Sequence, residues 1–381
     1  MRSNRLGSNR LLTRAAPWAL LLAAQLSLAA IVGALPALAG DAAFARYGVN
    51  RLNLAWLDRA EQERVLKEIA DSGATHVRLS LSRPVEKSID AVGIASRLGL
   101  RILLEIQLAN KSYYADAVLP RSGQGRIWDI NRLSDLDLDR YRLGLREALM
   151  RLDALGVRLE AVEPGNEINL AGYNGDLAVY QKPGEPTPRT VADLKDRAAF
   201  EEGLNRYIEV LRITRDEVRK SAKSSGAAIV SAGLSDMGAK EADRQGMERL
   251  DPAEVIMLLR ERGMDKHVDA YGIHIYPARK DPKSITSVVT KLLGFCEPSE
   301  SGRPCWVTEW GIANTARTCP VDDRQRVGAM AAMRSVFSDF AKTKRLDAAY
   351  YYDWDTQQSY RLWRCGTLSP AGALAIAPEN N

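Results

Sequence analysis

The stretch "RLEAVEPGN", residues 158–166, is a mostly apolar run stopped by a Pro-Gly pair, and Glu167, Ile168 and Asn169 follow it directly. A Pro-Gly pair between two periodic segments normally marks a turn, and a charged residue beyond such a turn is normally solvated. Read alone, Glu167 is a surface carboxylate. Its company elsewhere in the chain decides whether it is instead an acid held at the end of a buried strand.

Seven other short apolar runs share the character of this one. They are "YGVNRLNL" (47–54), "THVRLSL" (75–81), "RILLEIQL" (101–108), "AAIVSAGL" (227–234), "VDAYGIHIY" (268–276), "PCWVTEWG" (304–311) and "AAYYYDW" (348–354). Between them lie longer segments in which apolar residues recur every three or four positions, as in 61–73, 138–156, 199–222, 252–263 and 324–342. That spacing is the mark of amphipathic helices. Strand and helix alternating eight times predict an α/β protein of the closed (β/α)8 type, a TIM barrel. An open doubly wound sheet is the competing architecture, but it calls for a glycine-rich phosphate turn after the first strand, which "GVNRLNLAW" does not supply.

No low-complexity block or Pro/Ser-rich linker divides the chain after Asp41, so residues 40–381 are expected to form one domain. The proline-rich "YQKPGEPTPRT" (180–190) is read as a surface excursion within it. Ahead of the domain, Arg2, Arg5, Arg10 and Arg14 precede an apolar run from Pro17 to Leu35 and the triplet Ala37-Leu38-Ala39. These features describe a signal peptide over residues 1–39, cleaved after Ala39 to release a periplasmic or secreted protein. The alternative is an uncleaved anchor, which would be the protein's one membrane attachment.

Removing the four N-terminal arginines takes the formal net charge from +5 to +1. A nearly neutral domain lacks the concentrated basic face that nucleic acid requires, so no nucleic-acid partner is expected. Cys296, Cys305, Cys319 and Cys365 are an even set in a chain that reads as exported, which predicts disulfides. Spacing suggests Cys296 with Cys305 and Cys319 with Cys365, although four cysteines allow three pairings. No C-x-x-C or H-x-x-H pair is present, and His76, His267 and His274 are not spaced as ligands, so neither metal nor cofactor is expected. The protein is expected to be a monomer.

In a barrel of this kind the catalytic groups gather where the strands end, which gives scattered polar residues a common address. Arg78 falls on strand two, Asn166 and Glu167 at the end of strand four, His274 and Tyr276 on strand six, Glu309 on strand seven, and Trp354 at the end of strand eight. Two carboxylates at one site suit glycosidic cleavage. One must protonate the poor leaving oxygen, while the other stabilises or attacks the developing oxocarbenium ion. Arg78 beside Glu309 would keep that carboxylate charged and make it the nucleophile, and Glu167, with no fixed cation, would be the acid.

The motifs "PGNE", "YGIHIYP" and "VTEWG" on strands four, six and seven, with "VRLSLS" on strand two, resemble glycoside hydrolase clan A, families 5 and 39 most closely. The resemblance covers nearly the whole chain after the N-terminal segment. It implies a retaining mechanism on an oligo- or polysaccharide, with Glu167 as acid/base and Glu309 as nucleophile. It further implies that Asn166 bonds the sugar 2-hydroxyl, that Tyr276 and Arg78 orient the nucleophile, and that Trp354 is the sugar platform. Where many family 5 members carry a histidine at the end of strand three, this chain has "EIQLAN", with Gln107 or Asn110 nearby.

His274 shares a strand face with Tyr276, which favours a role in the site over one in the core. Glu105 and Glu163 are read as structural carboxylates bonded to backbone or arginine. Tyr113, Tyr114, Trp128, Tyr173, Trp310 and Trp363 are candidates either for stacking on sugars or for plain packing. A transglycosylase would use the same two glutamates, and a noncatalytic carbohydrate-binding barrel would be expected to lack one of them. A metal-dependent barrel hydrolase would need an H-x-H on strand one that "GVNRLN" does not have.

Overall fold

The structure is a computed structural model that describes residues 45–120, 130–179, 186–278, 281–299, 302–316, 318–357 and 359–378. The signal and anchor readings of residues 1–39, the candidate Trp128 and the first half of the 180–190 excursion lie outside them. Eight strands, β1 (Arg46–Asn50), β2 (His76–Leu81), β3 (Arg101–Ile106), β4 (Ala161–Pro164), β5 (Ala228–Ile229), β6 (Tyr271–Ile275), β7 (Cys305–Trp310) and β8 (Leu346–Tyr351), form one sheet. Each falls within or against one of the eight apolar runs. Every ladder is parallel, in the order β5-β4-β3-β2-β1-β8-β7-β6.

The sheet closes where that order ends. Beyond the two regular residues of β5 the chain runs on beside β6, pairing Val230 with Ala270 and Leu234 with Ile273. Ser231 N donates to Ala270 O at 3.0 Å, and His274 N to Leu234 O at 2.9 Å. An open doubly wound sheet is thereby excluded, and the fold is a (β/α)8 barrel.

Helices α1 (Arg59–Asp71), α2 (Val85–Arg97), α3 (Leu138–Ala154), α4 (Arg197–Lys220), α5 (Ala239–Gln245), α6 (Pro252–Glu261), α7 (Pro282–Leu292), α8 (Arg324–Lys342) and α9 (Pro370–Ile376) connect the strands or follow the last of them. Their starts are written locally. Asp58, Asp137, Asp196, Asp251, Asp281 and Ser369 each accept a bond from a first-turn N–H, and three of these caps are followed by proline, whose fixed φ suits the first helical position. Leu103, Ala161, Val230, Ala270, Trp306, Ala348 and Tyr350, from β3 through β8, fill the inside of the cylinder. The larger apolar cluster lies between strands and helices, so a rigid double wall stands behind every residue at the strand ends. Among the described residues, no helix is long and apolar enough to cross a membrane.

Two disulfides are formed. Cys296–Cys305 ties the end of α7 to the start of β7, and Cys319–Cys365 ties the loop after β7 to the hairpin of β9 (Trp363–Arg364) and β10 (Thr367–Leu368).

Candidate active site

The Pro-Gly pair that ends β4 is a turn, as its composition says, but it turns into the barrel mouth. Gly165 has φ +95°, a conformation that side chains rarely adopt, and Glu167 itself sits in the left-handed region at φ +44°. The surroundings hold Glu167 there. Its N–H donates to Gly233 O at 2.8 Å, its carbonyl accepts from Leu170 N at 2.9 Å, and Asn166 bridges Gly233. Position 233 admits nothing larger than glycine, because a Cβ there would collide with His274 Nε2 and Thr308 Oγ1. The strained residue is therefore fixed by its neighbours, an arrangement that concentrates at functional sites.

Arg78 is the hub of the site. Its guanidinium, without exposed surface, donates through Nε to Glu163 at 2.6 Å, through Nη1 to Glu309 at 2.6 Å and Asn50 at 3.0 Å, and through Nη2 to Asn166 at 3.0 Å. Glu163 Oε1 also accepts from Thr308 Oγ1 and Gly233 N, so this carboxylate is satisfied and structural. Glu309 receives Arg78 on one oxygen and the Tyr276 hydroxyl, at 2.5 Å, on the other. Burial pushes its carboxyl upward, but His274 and Arg78 outweigh burial and hold it below its ordinary value, so it is ionised at neutral pH. The fork of an arginine suits this task because its two arms reach two carboxylates while one charge serves both.

Glu167 has the cationic neighbour that its sequence context did not reveal. His274 Nδ1 lies 2.9 Å from Glu167 Oε1 and 3.6 Å from Glu309 Oε2. Burial lowers the imidazole's affinity for a proton, but the two carboxylates outweigh it and the net shift is upward. The Glu167 and Glu309 oxygens that touch this one nitrogen can be no more than 6.5 Å apart, since the distances of 2.9 and 3.6 Å together bound their separation. Asp236, after the β5 edge, accepts from Tyr276 N at 2.8 Å, and burial with the nearby Glu167 charge pushes its carboxyl up to about 6.

A cavity of about 360 Å³ opens on this cluster. Asn166 and Glu309 line it together with Glu105, Gln107, Arg51, Trp56, Tyr173 and Tyr352. Arg51 is paired with Asp355 at 2.6 Å, and Trp56, half exposed, stands at the rim.

The structure brings Arg78, Asn166, Glu167, His274, Tyr276 and Glu309 together, and leaves Trp354 apart. The Trp354 ring is fully buried and stacks on Trp363, with centroids 5.3 Å apart, so it offers a sugar no face. The aromatic side chain of this strand end that reaches the cavity is Tyr352. Of the other aromatic candidates among the described residues, only Tyr173 lines the cavity. Tyr113, Tyr114 and Trp310 are core residues, and Trp363 covers Trp354. Asn110 is buried and caps a short turn, while Gln107 faces the cavity. Glu105 departs from the expected structural role, because its Oε1 is buried without a hydrogen-bond partner.

No protein-family model matches the sequence, and no curated protein is similar to it. Solved structures are similar in fold. A family 39 glycoside hydrolase from the gut symbiont Bacteroides cellulosilyticus superposes with a TM-score of 0.51 at 15% identity, over 86% of this chain and 62% of that one. A subfamily 18 member of glycoside hydrolase family 5 from Streptomyces cattleya, solved with Manβ1-4GlcNAc, gives 0.51 at 16% identity, over 87% and 79%. An intracellular xylanase from Thermoanaerobacterium saccharolyticum gives 0.52 at 11% identity, over 88% and 95%. The chain thus spans less than two thirds of the family 39 enzyme and most of the other two. What they share with this chain is the (β/α)8 barrel fold.

Proposed function

We propose that the protein is an exported, retaining glycoside hydrolase that cleaves β-glycosidic bonds of an oligo- or polysaccharide, with Glu309 as nucleophile and Glu167 as acid/base. The observation that carries this reading is a single imidazole, His274, in contact with both carboxylates, while Arg78 and Tyr276 donate to Glu309 and not to Glu167. The oxygens that face it lie within 6.5 Å of each other, which is compatible with the separation of about 5–5.5 Å between carboxyl groups that direct attack requires.

In the first step the ionised Glu309 attacks the anomeric carbon, the glycosidic C–O bond breaks, and Glu167 gives its proton to the departing oxygen. While Glu309 is an anion its charge favours a proton on His274, which touches both carboxylates. In the second step the carboxylate of Glu167 takes a proton from the water that hydrolyses the ester. Asn166, held by Arg78 and facing the cavity, is placed to bond the 2-hydroxyl of the sugar on Glu309. Tyr352 on the cavity wall takes the platform role that Trp354 cannot fill. Two disulfides among the described residues support export into an oxidising compartment.

The test is covalent capture. Full-length protein is incubated with 2,4-dinitrophenyl 2-deoxy-2-fluoro-β-glycosides of glucose, mannose, xylose and galactose, and its peptides are mapped by mass spectrometry. One of these sugars should be found esterified to Glu309. A label on another carboxylate, or none with any sugar under conditions where natural glycans are cleaved, overturns the assignment.

A further inference from the structure

Glu105 belongs to none of the roles above, yet it stands in the same cavity as Glu309 and Asn166. It lies on β3 opposite Ser80 of β2 and Glu163 of β4, and only 3% of the residue is exposed. The other interior carboxylates are matched, Glu163 by three donors and Glu309 by two. Oε1 of Glu105 has no partner, and an unmatched buried acceptor is costly enough to require an explanation.

The groups facing Glu105 explain which form it takes. Burial disfavours its charge most strongly. Arg78 on β2 offsets this in part, Glu163 on β4 and Glu309 on β7 add to it, and His274 on β6 works weakly against it. The buried Tyr113, on the turn after β3, is a further titratable neighbour, and Arg51, paired with Asp355, lines the same cavity. Arg78 does not satisfy Glu105: four of its five N–H groups are given to Glu163, Glu309, Asn50 and Asn166, and it makes no hydrogen bond to Glu105. The result is a carboxyl pushed up to about 8, hence a neutral acid and a hydrogen-bond donor at neutral pH. Oε1 is enclosed, so the oxygen that can meet the occupant is the other one of the same carboxyl; protonated there, on a cavity wall and without a protein acceptor, it is placed for an acceptor on the occupant.

Resting on the glycosidase reading, we propose that Glu105 is a substrate-binding residue that donates a hydrogen bond to a hydroxyl of the sugar seated against Glu309. Loss of its proton would remove the donor and set a second uncompensated anion beside Glu163 and Glu309, so sugar binding weakens as the pH rises through the range in which Glu105 ionises. Glutamine keeps a donor of the same shape at every pH. Leucine keeps only the volume.

The experiment has two arms. In the first, protein labelled with 13C at the glutamate δ-carbon is titrated by NMR from pH 5 to 10. One carboxyl carbon should titrate near 8 and be missing from Glu105→Gln. In the second, KM and kcat are measured between pH 6 and 9 on whichever 2,4-dinitrophenyl β-glycoside of the panel the wild type cleaves. Glu105→Leu should raise KM about tenfold at pH 6.5, the scale of one lost hydrogen bond, with kcat changed much less. The wild-type KM should climb above pH 8, while that of Glu105→Gln stays level. A leucine variant that folds and keeps the wild-type KM overturns the proposal, as does a wild-type KM no more pH-dependent than that of the glutamine variant. A residue that only supports the fold would not make KM depend on pH in this way. Failure of the wild type to cleave any glycoside would instead strike the glycosidase reading itself, and with it this proposal.

Discussion

Arg78 donates through Nη1 to Oε1 of Glu309 over 2.6 Å, and neither side chain is more than 8% exposed. The same guanidinium neutralises Glu163, so one buried cation serves two buried carboxylates. Replacing Arg78 by methionine leaves both without compensation. The expected cost is about 3–5 kcal/mol of stability, the scale of breaking one partner out of a buried ion pair. Activity on an activated glycoside should fall at least 10²-fold, on the order of removing one preorganised charge contact. Lysine restores the charge but not the fork, so Arg78→Lys should recover part of the stability and little of the activity. Urea unfolding and initial rates check both, and an Arg78→Met protein as stable as the wild type would contradict the hub described here.

The imidazole between the two glutamates gives a pH signature. His274 and Arg78 together hold the Glu309 carboxyl below its ordinary value against the effect of burial. A carboxyl depressed in this way contributes stability and activity above that range, and both are lost as the pH falls through it. In His274→Gln one of the two cations is gone, so Glu309 takes up its proton at higher pH. The acid limb of kcat/KM, which reports groups of the free enzyme, should move to higher pH. An acid limb that stays in place or moves down would show that His274 is uncharged beside Glu309.

The two disulfides should part company under mild reduction. Cys319 and Cys365 are both exposed, whereas Cys296 and Cys305 are fully buried. Low concentrations of dithiothreitol on folded protein, followed by alkylation and peptide mapping, should open only Cys319–Cys365. That bridge closes 46 residues, and the chain-entropy estimate for such a loop is about 4 kcal/mol. The loss in unfolding free energy after selective reduction should approach that figure. Prior opening of Cys296–Cys305 would contradict the burial of that pair.

Much of this architecture is legible in the sequence because the barrel is built from locally coded pieces. Each strand is an apolar run, six of the helix starts carry Asp or Ser caps, and Asn166, Glu167, Tyr276 and Glu309 stand where their strands end or just beyond. Trp354 departs from the sequence expectation for a long-range reason. The chain returns after a further eight residues, and Leu362 and Trp363 donate their N–H groups to its carbonyl at 2.9 and 2.8 Å. Trp363 then covers the ring. Periodicity carries no record of that return, and nothing local marks Tyr352 as the aromatic that reaches the cavity. Glu105 was misread because alternation says only that it points inward. Whether an inward carboxylate finds a partner depends on where the arms of Arg78 go, and three of the four groups that claim them, Asn50, Glu163 and Glu309, lie on different strands. Likewise the His274–Glu167 contact joins residues 107 positions apart, with no local signal to announce it.

The proposed roles of the two glutamates differ in the steps they would serve. On that reading Glu167→Ala lacks the acid of the first step and the base of the second. Substrates whose leaving group needs a proton should lose roughly 10²–10⁴-fold in kcat/KM, the usual contribution of a general acid, while 2,4-dinitrophenyl glycosides should lose little, because dinitrophenolate leaves unaided. Their kcat should still fall, since the glycosyl ester on Glu309 now waits for unassisted water. Azide needs no base, so adding it should restore turnover and give the β-glycosyl azide. Glu309→Ala has no nucleophile to form the ester, and any azide product there should have the α configuration, by direct displacement from the opposite face. Rates with the activated substrate and NMR of the azide products distinguish these outcomes. If Glu167→Ala loses activity equally on all substrates and azide restores nothing, the carboxylate that follows the Pro-Gly turn is not the acid/base, even though the fold sets it at the barrel mouth.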